Sequence, residues 1–418
     1  MTTIERAGST SGLLDQAPSV RDAVMIGPRV YRGYSQVHIA LDREARKYYE
    51  FPVKLGWVME RLDGARTLRE IGAEFADEFG TRLDEQGWIR ILTQLGTRGL
   101  LARPASAAAV PGSVGSGSAA AGSGSAAVGS GSAGSGSAGA PVLGSAGTGS
   151  GLAGATVSPV SDPPVVPVRK STVLAGKFAV RRPGEFLDRL HRFTGWLLHP
   201  EVAAATMALF GILLITIVVN LNELFTETAA LLRHPVYAVA VLLILWASVA
   251  AHELAHGVAA RHFGGEVLEI GVVWRLPAFF PYCRVEGVSC FRSRWQRSAT
   301  AFAGAYANLL ILLVLTPVWL ATPEGSAIND TAAGLLLVGG FAALVNLLPL
   351  PGWDGYRIVG YLAGTADLHG DSKKYWAAQD RSAYPRRLRI VYRAYPVAAV
   401  LSGVVLIGCI GLGVWRLI

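Results

Sequence analysis

The chain has 418 residues, of which 51% are hydrophobic and 16% charged, with 49 glycines and a net charge of +8. Soluble proteins carry roughly 25% charged residues, so this composition excludes a wholly soluble enzyme of such length and points to a membrane part joined to something low in complexity. Three cysteines (Cys283, Cys290 and Cys409) exclude a disulfide framework.

The charge is unevenly placed. Residues 1–103 carry 15 Lys/Arg and 14 Asp/Glu, residues 104–161 carry none, and the rest of the excess lies in the apolar C-terminal half. That placement fits positive-inside membrane topology better than a DNA-binding face. The first 25 residues hold no apolar core of signal-peptide type, so the N-terminus is expected to stay in the cytoplasm, with residues 1–27 disordered.

Residues 28–103 read as a small α+β domain. Val30–Arg32 and Val37–Leu41 alternate as short strands, and 52–62 reads as a helix stopped at Asp63-Gly64. Thr67 caps a second helix, with Glu70 placed to complete a capping box and Leu68, Ile71, Phe75 and Phe79 on one face. A third helix runs from Asp84, burying Trp88, Ile91, Leu92 and Leu95, before Gly99-Leu100-Leu101 returns to extended chain. Three helices with a small β element predict a winged-helix-like shape.

Residues 104–168 form a linker rich in Gly, Ser and Ala, predicted to be disordered. Its 58 uncharged residues would span roughly 40 Å as a random coil. Two GxGxxG matches inside it, at Gly129–Gly134 and Gly134–Gly139, follow no strand and open no helix, so they are not nucleotide sites. Residues 169–192 are basic with an apolar stripe (Phe186, Leu187, Leu190, Phe193), predicting an interfacial amphipathic segment.

Residues 169–418 read as an all-α polytopic membrane domain of about five transmembrane helices, at Val202–Asn222, Pro235–Ala251 continuing to about Phe263, Ser298–Pro323, Thr331–Trp353 and Ala394–Trp415. Arginine-rich stretches before the first span, at 261–297, and after the fourth belong inside, and the acidic loops at 223–234 and 324–330 outside. The expected topology is a multi-pass protein of the cell membrane with the N-terminal domain in the cytoplasm. Trp196, Trp319 and Trp415 read as interfacial anchors, and the sequon at Asn329-Asp330-Thr331 as chance.

His252-Glu253-Leu254-Ala255-His256 closes an apolar span. Histidines at i and i+4 share a helical face and can hold one metal ion, with Glu253 placed to take a proton from water. Buried titratable groups at a membrane are expensive unless they act together. A catalytic zinc needs a third protein ligand, and the topology offers Asp354 at the same end, in Asn346-Leu347-Leu348-Pro349-Leu350-Pro351-Gly352-Trp353-Asp354-Gly355. Pro349 and Pro351 break the helix there and free backbone groups to meet a substrate strand.

HExxH in one span and NxxPxPxxDG in a later one resemble the site-2 protease family of intramembrane zinc metallopeptidases, whose core corresponds to residues 235–356. A third element reads Gly304-Ala305-Tyr306-Ala307-Asn308, with Ala305 where the family has proline. The resemblance implies one zinc ion held by His252, His256 and Asp354, with Glu253 as general base and acid, and Asn308 and Asn346 polarising the scissile carbonyl or holding the substrate strand. Residues 263–284 resemble the family's membrane-associated hairpin. Leu62–Leu68 and Leu95–Leu101 resemble the PqqD-like fold, a leader-peptide recognition element, which implies docking of a precursor peptide as an added strand near Val30–Leu41. Together they imply a protease of modified-peptide, bacteriocin-like biosynthesis, with daptide-type pathways as a fitting home. The alternatives are a regulatory protease of a membrane-bound anti-sigma factor, a peptide-binding export or immunity protein without proteolysis, and a DNA-binding membrane sensor. The near-neutral charge of 1–103 argues against nucleic acid.

Overall fold

A computed structural model describes residues 12–102, 158–159, 175–231 and 233–417. They fall into two compact units. One comprises the chain up to Asp22 and from Arg61 to Thr156; the other joins Ala23–Glu60 to everything from Val157 onward. Most of the linker expected at 104–168 lies outside the described residues.

In the second unit, β1 (Val24–Arg32), β2 (Ser35–Asp42) and β3 (Lys47–Pro52) form an antiparallel sheet, followed by α1 (Val53–Met59). Regular structure thus begins before Pro28, and β3 is an additional strand. In the first unit, α2 (Leu68–Phe79) starts with the full capping box between Thr67 and Glu70, an arrangement typically worth about 1 kcal/mol. Asp84 caps α3 (Glu85–Thr97), and Leu68, Ile71, Phe75, Trp88, Ile91 and Leu95 are buried.

The chain re-enters at the two-residue strand β4 (Ser158–Pro159), which adds to the outer edge of β3. The basic stretch expected to be a single amphipathic segment divides in two. Residues Ala175–Arg181 form β5, and only α4 (Gly184–Thr194) is the amphipathic helix. Leu187 of α4 is buried against Val258 and Val267, and Asp188 receives a bidentate ion pair from Arg261 at 2.7 and 2.9 Å.

Next come α5 (Pro200–Val219), α6 (Leu221–Leu231) and α7 (Pro235–His262). A hairpin of β6 (Glu266–Arg275) and β7 (Ala278–Glu286) follows. It pairs with β5 in the order β5-β6-β7, so this part is not all-helical as expected. Gly271 makes the pairing possible, since a Cβ there would overlap the Phe178 carbonyl. The remaining helices are α8 (Arg294–Ala321), α9 (Ala327–Asn346), α10 (Asp354–Ala363), α11 (Leu368–Ala377) and α12 (Arg386–Leu417). Among the described residues five helices, α5, α7, α8, α9 and α12, are long and apolar enough to cross a bilayer. α8 and α9 bury about half of their apolar stretch inside the protein, whereas α12 buries none of it.

β1 also reaches the α10–α11 turn. Tyr31 N donates to Gly364 O and Ala366 N to Tyr31 O, both at 2.8 Å. On the β2–β3 side, Gly287 N donates to the Tyr48 hydroxyl at 3.0 Å.

Candidate metal centre

Pro235 opens α7 at a position where its missing N–H is not needed. The helix then runs without a break through the HExxH stretch, placing His252 and His256 on one face. Both are buried, at 5% and 9% exposure. That face meets α8 where α8 is made of small residues (Ala301, Ala303, Gly304, Ala305), which allow close approach of the backbones. α8 continues unbroken through Ala305.

The third member arrives from a different direction. α9 ends at Asn346, eight residues short of Asp354, so the aspartate does not close the fourth span as expected but opens α10. Between them the chain turns through Leu347–Trp353. Pro349 and Pro351 cannot continue a helix, and Gly352 has φ +95°. Gly355 packs so tightly on this turn that a Cβ would overlap the Leu347 carbonyl. The turn aims Asp354 back at α7.

The three side chains converge. His252 Nε2 lies 3.0 Å from Asp354 Oδ2, His256 Nε2 lies 3.3 Å from the same oxygen, and the two Nε2 atoms are 3.2 Å apart. A tetrahedral zinc with bonds of about 2.0 Å has ligand atoms about 3.3 Å apart, so this triangle fits three ligands of one ion. Protonation agrees. His256 Nδ1 donates to Thr300 O at 2.8 Å, which leaves Nε2 with its lone pair inward. His252 Nδ1 lies 3.2 Å from the Asn308 amide, which Ser248 holds from its other side through a 3.1 Å hydrogen bond. The amide stands with Nδ2 toward the ring and Oδ1 accepting from Ser248; turned over, its oxygen accepts from Nδ1–H and His252 Nε2 is also free to ligate. Two lone pairs and a carboxylate facing one another repel unless a cation or protons lie between them.

Glu253 lies next to this triangle on α7. Its Oε2 accepts from Cys283 N of β7 at 3.1 Å, so the hairpin fixes the carboxylate. Burial, and then the charge of Glu253, push the Cys283 thiol up to about 12.

Of the residues expected to contact substrate, Asn308 is buried and its amide is committed to His252 and Ser248. Asn346, the last residue of α9, and Pro349 are half-buried and Pro351 is exposed; both prolines lie in the turn before Asp354. Sequence reading missed Ser248 and Thr300, although Ser248 lies one helical turn before His252. Gly304 is a glycine because a Cβ there would lie 2.5 Å from the His252 ring.

The model of peptidase family M50, the site-2 protease family, matches residues 240–330. The matched stretch holds His252, Glu253, His256, the hairpin and α8, and it ends before Asp354. It therefore supports a multi-pass membrane metalloprotease, while Asp354 joins the site on geometry alone. No curated protein and no solved structure matches the chain.

Proposed function

We propose that the chain is an intramembrane zinc metalloendopeptidase that removes the leader from a hydrophobic, ribosomally made precursor peptide. The observation that carries the proteolytic part is the convergence of His252, His256 and Asp354 within 3.0–3.3 Å beside Glu253. Zinc held by these three residues supplies Lewis acidity toward a water and toward the scissile carbonyl. Glu253 takes the proton from the attacking water and delivers it to the leaving amine nitrogen. Cys283 N–H keeps the carboxylate in place, and Thr300 and Asn308 keep the imidazoles turned inward. The substrate must be extended at the cut, because carbonyls within a helix are already hydrogen-bonded. The irregular 347–353 turn, with Asn346, Pro349 and Pro351, is the backbone we assign to holding it.

Residues 28–103 are, in this reading, a winged-helix, PqqD-like module that holds the leader in the cytoplasm. β2 is flanked on both sides and β1 already meets the 364–366 turn, so the added strand belongs on β3 rather than along Val30–Leu41. Ser158 and Pro159 pair with Glu50 and Tyr49 there, an instance of that edge taking extended chain. β3 belongs to the same compact unit as the metal centre, so a peptide captured on its edge stays near that centre without relying on the linker.

Whole-cell peptide mass spectrometry of wild type against Glu253→Gln tests the proposal. An uncut precursor that accumulates in the variant, with loss of its mature form, is the expected result, and the mass difference locates the cut. An unchanged peptide profile with the variant present in the membrane sinks the leader-removal reading.

A further inference from the structure

A second cluster of buried polar groups lies far from the metal centre. Helices α6 and α9 pack side by side: Leu231 joins Val241 and Leu335 in an apolar cluster, and a Cβ on Gly334 would meet Leu231 at 2.9 Å. One turn earlier on both helices the apolar contact gives way to acids, Glu227 on α6 and Asp330 on α9, at 8% and 6% exposure. Thr228 and Asn329 beside them are more deeply buried, at 4% and 2%.

Trp319 of α8 binds one side of this group. Its indole N–H donates to Glu227 Oε2 at 2.6 Å, and its carbonyl accepts from Asn329 Nδ2 at 3.0 Å. Asn329 Nδ2 also reaches Thr322. Trp319 is thus a buried clamp rather than an interfacial anchor. Asn329 is equally enclosed, so the sequon is no surface loop. Glu227 and Asn329 thus have their other polar atom held, while Glu227 Oε1, Thr228 Oγ1, Asn329 Oδ1 and Asp330 Oδ1 remain buried without a hydrogen-bond partner among the described residues. No ion pair to either acid occurs among those residues. Burial first, and then the charges of Glu223, Asp330 and Glu324, push the Glu227 carboxyl up despite the indole hydrogen bond.

Unpartnered oxygens at this depth are costly. Four of them, drawn from two carboxylates, an amide and a hydroxyl, match the all-oxygen coordination of a hard cation, with no nitrogen or sulfur donor to favour a transition metal. Two formal negative charges match one divalent ion. Mg2+ demands a small regular octahedron and keeps its waters, whereas Ca2+ accepts irregular mixed oxygen sets. We propose that Glu227, Asp330, Asn329 and Thr228 form a calcium site that ties α6 to α9. Sixteen residues of helix separate Asp330 from Asn346, roughly 24 Å, so the site is distinct from the metal centre at Asp354 and independent of whether that centre cleaves peptides.

Trp319 makes the site observable, because a terbium ion bound at Glu227 would be sensitised by the adjacent indole. The full-length protein is titrated in detergent with Tb3+, and Ca2+ is then used to displace it. Sensitised emission that Ca2+ abolishes and Mg2+ does not, weakened at least tenfold in Glu227→Gln and in Asp330→Asn but kept in His252→Ala, is the expected result. Emission equal in wild type and both variants, or lost in His252→Ala, overturns the proposal. Because the two variants could misfold, equilibrium dialysis of the wild type gives an independent reading. One Ca2+ per chain, with a dissociation constant of about 0.1–1 mM as in extracellular modules, supports the site. No uptake at millimolar calcium overturns it.

Discussion

On α8 a glycine faces the His252 imidazole: a Cβ at Gly304 would stand 2.5–2.6 Å from three of its ring atoms. Real Cβ atoms do not approach that closely, so Gly304→Ala must push the ring or the helix aside and open the 3.0–3.3 Å triangle. We expect this variant to keep its helices and lose at least tenfold in zinc retained after purification, in line with the 10–100-fold cost of disturbing groups that orient metal ligands. Metal analysis beside circular dichroism checks it, and full zinc content in the variant would remove Gly304 from the site's requirements. The cysteines offer a pH test. Burial pushes both Cys283 and Cys290 up to about 12. A raised thiol pKa keeps the proton on, so at pH 8 the reactive thiolate is about one part in ten thousand and grows about tenfold per pH unit. In a Cys409→Ser background, iodoacetamide should leave both residues unmodified at pH 8 in the folded protein and label both after denaturation. Rapid labelling of either in the folded protein would contradict its buried setting.

At the scale of elements, the turn between α9 and α10 decides whether a site exists. Gly355→Ala sets a methyl group against the Leu347 carbonyl, and backbone cannot yield as a side-chain end can. Asp354 would move with the start of α10. Since a misplacement of about 1 Å can cost about a hundredfold in rate, peptide processing should fall by that order while membrane insertion persists. A variant that processes normally would show that the turn tolerates rearrangement. The same turn marks where sequence reading ran out. HExxH was legible because i and i+4 always share a helical face, and the Thr67–Glu70 box because it is local. Hydropathy continues through Leu347–Trp353 and so places Asp354 at the end of the fourth span, although the prolines do not allow helix there. β5 was hidden inside a basic stretch, because its partner β6 lies about ninety residues later and long-range pairing leaves little local trace. α6 and α10 are short, and their acids and glycines masked a pattern that tertiary packing completes. Trp319 reads as an interfacial anchor for a similar reason: its partner Glu227 lies on another helix.

For the whole molecule, the distribution of charge sets the expected orientation in the bilayer. The ends of α7, α8 and α9 nearest the metal centre carry Arg261, Arg284, Arg292, Arg294 and Arg297, and the segment beyond Asp354 carries Lys373, Lys374, Arg381, Arg386 and Arg387. The opposite ends carry Glu223, Glu227, Glu324 and Asp330. Positive charge is retained on the cytoplasmic side during insertion, so the metal centre should face the cytoplasm. A leader peptide made there could reach it without crossing the membrane. Single cysteines in a background free of native ones test this placement. Pro323 in the α8–α9 loop and Lys374 on α11 are both exposed, and neither belongs to the metal centre. A membrane-impermeant maleimide should label Pro323→Cys in intact cells and Lys374→Cys only after permeabilisation. The reverse pattern would place the metal centre outside. A cytoplasmic precursor would then have to be exported before it could be cut, which would count against capture and cleavage by one chain on one side of the membrane.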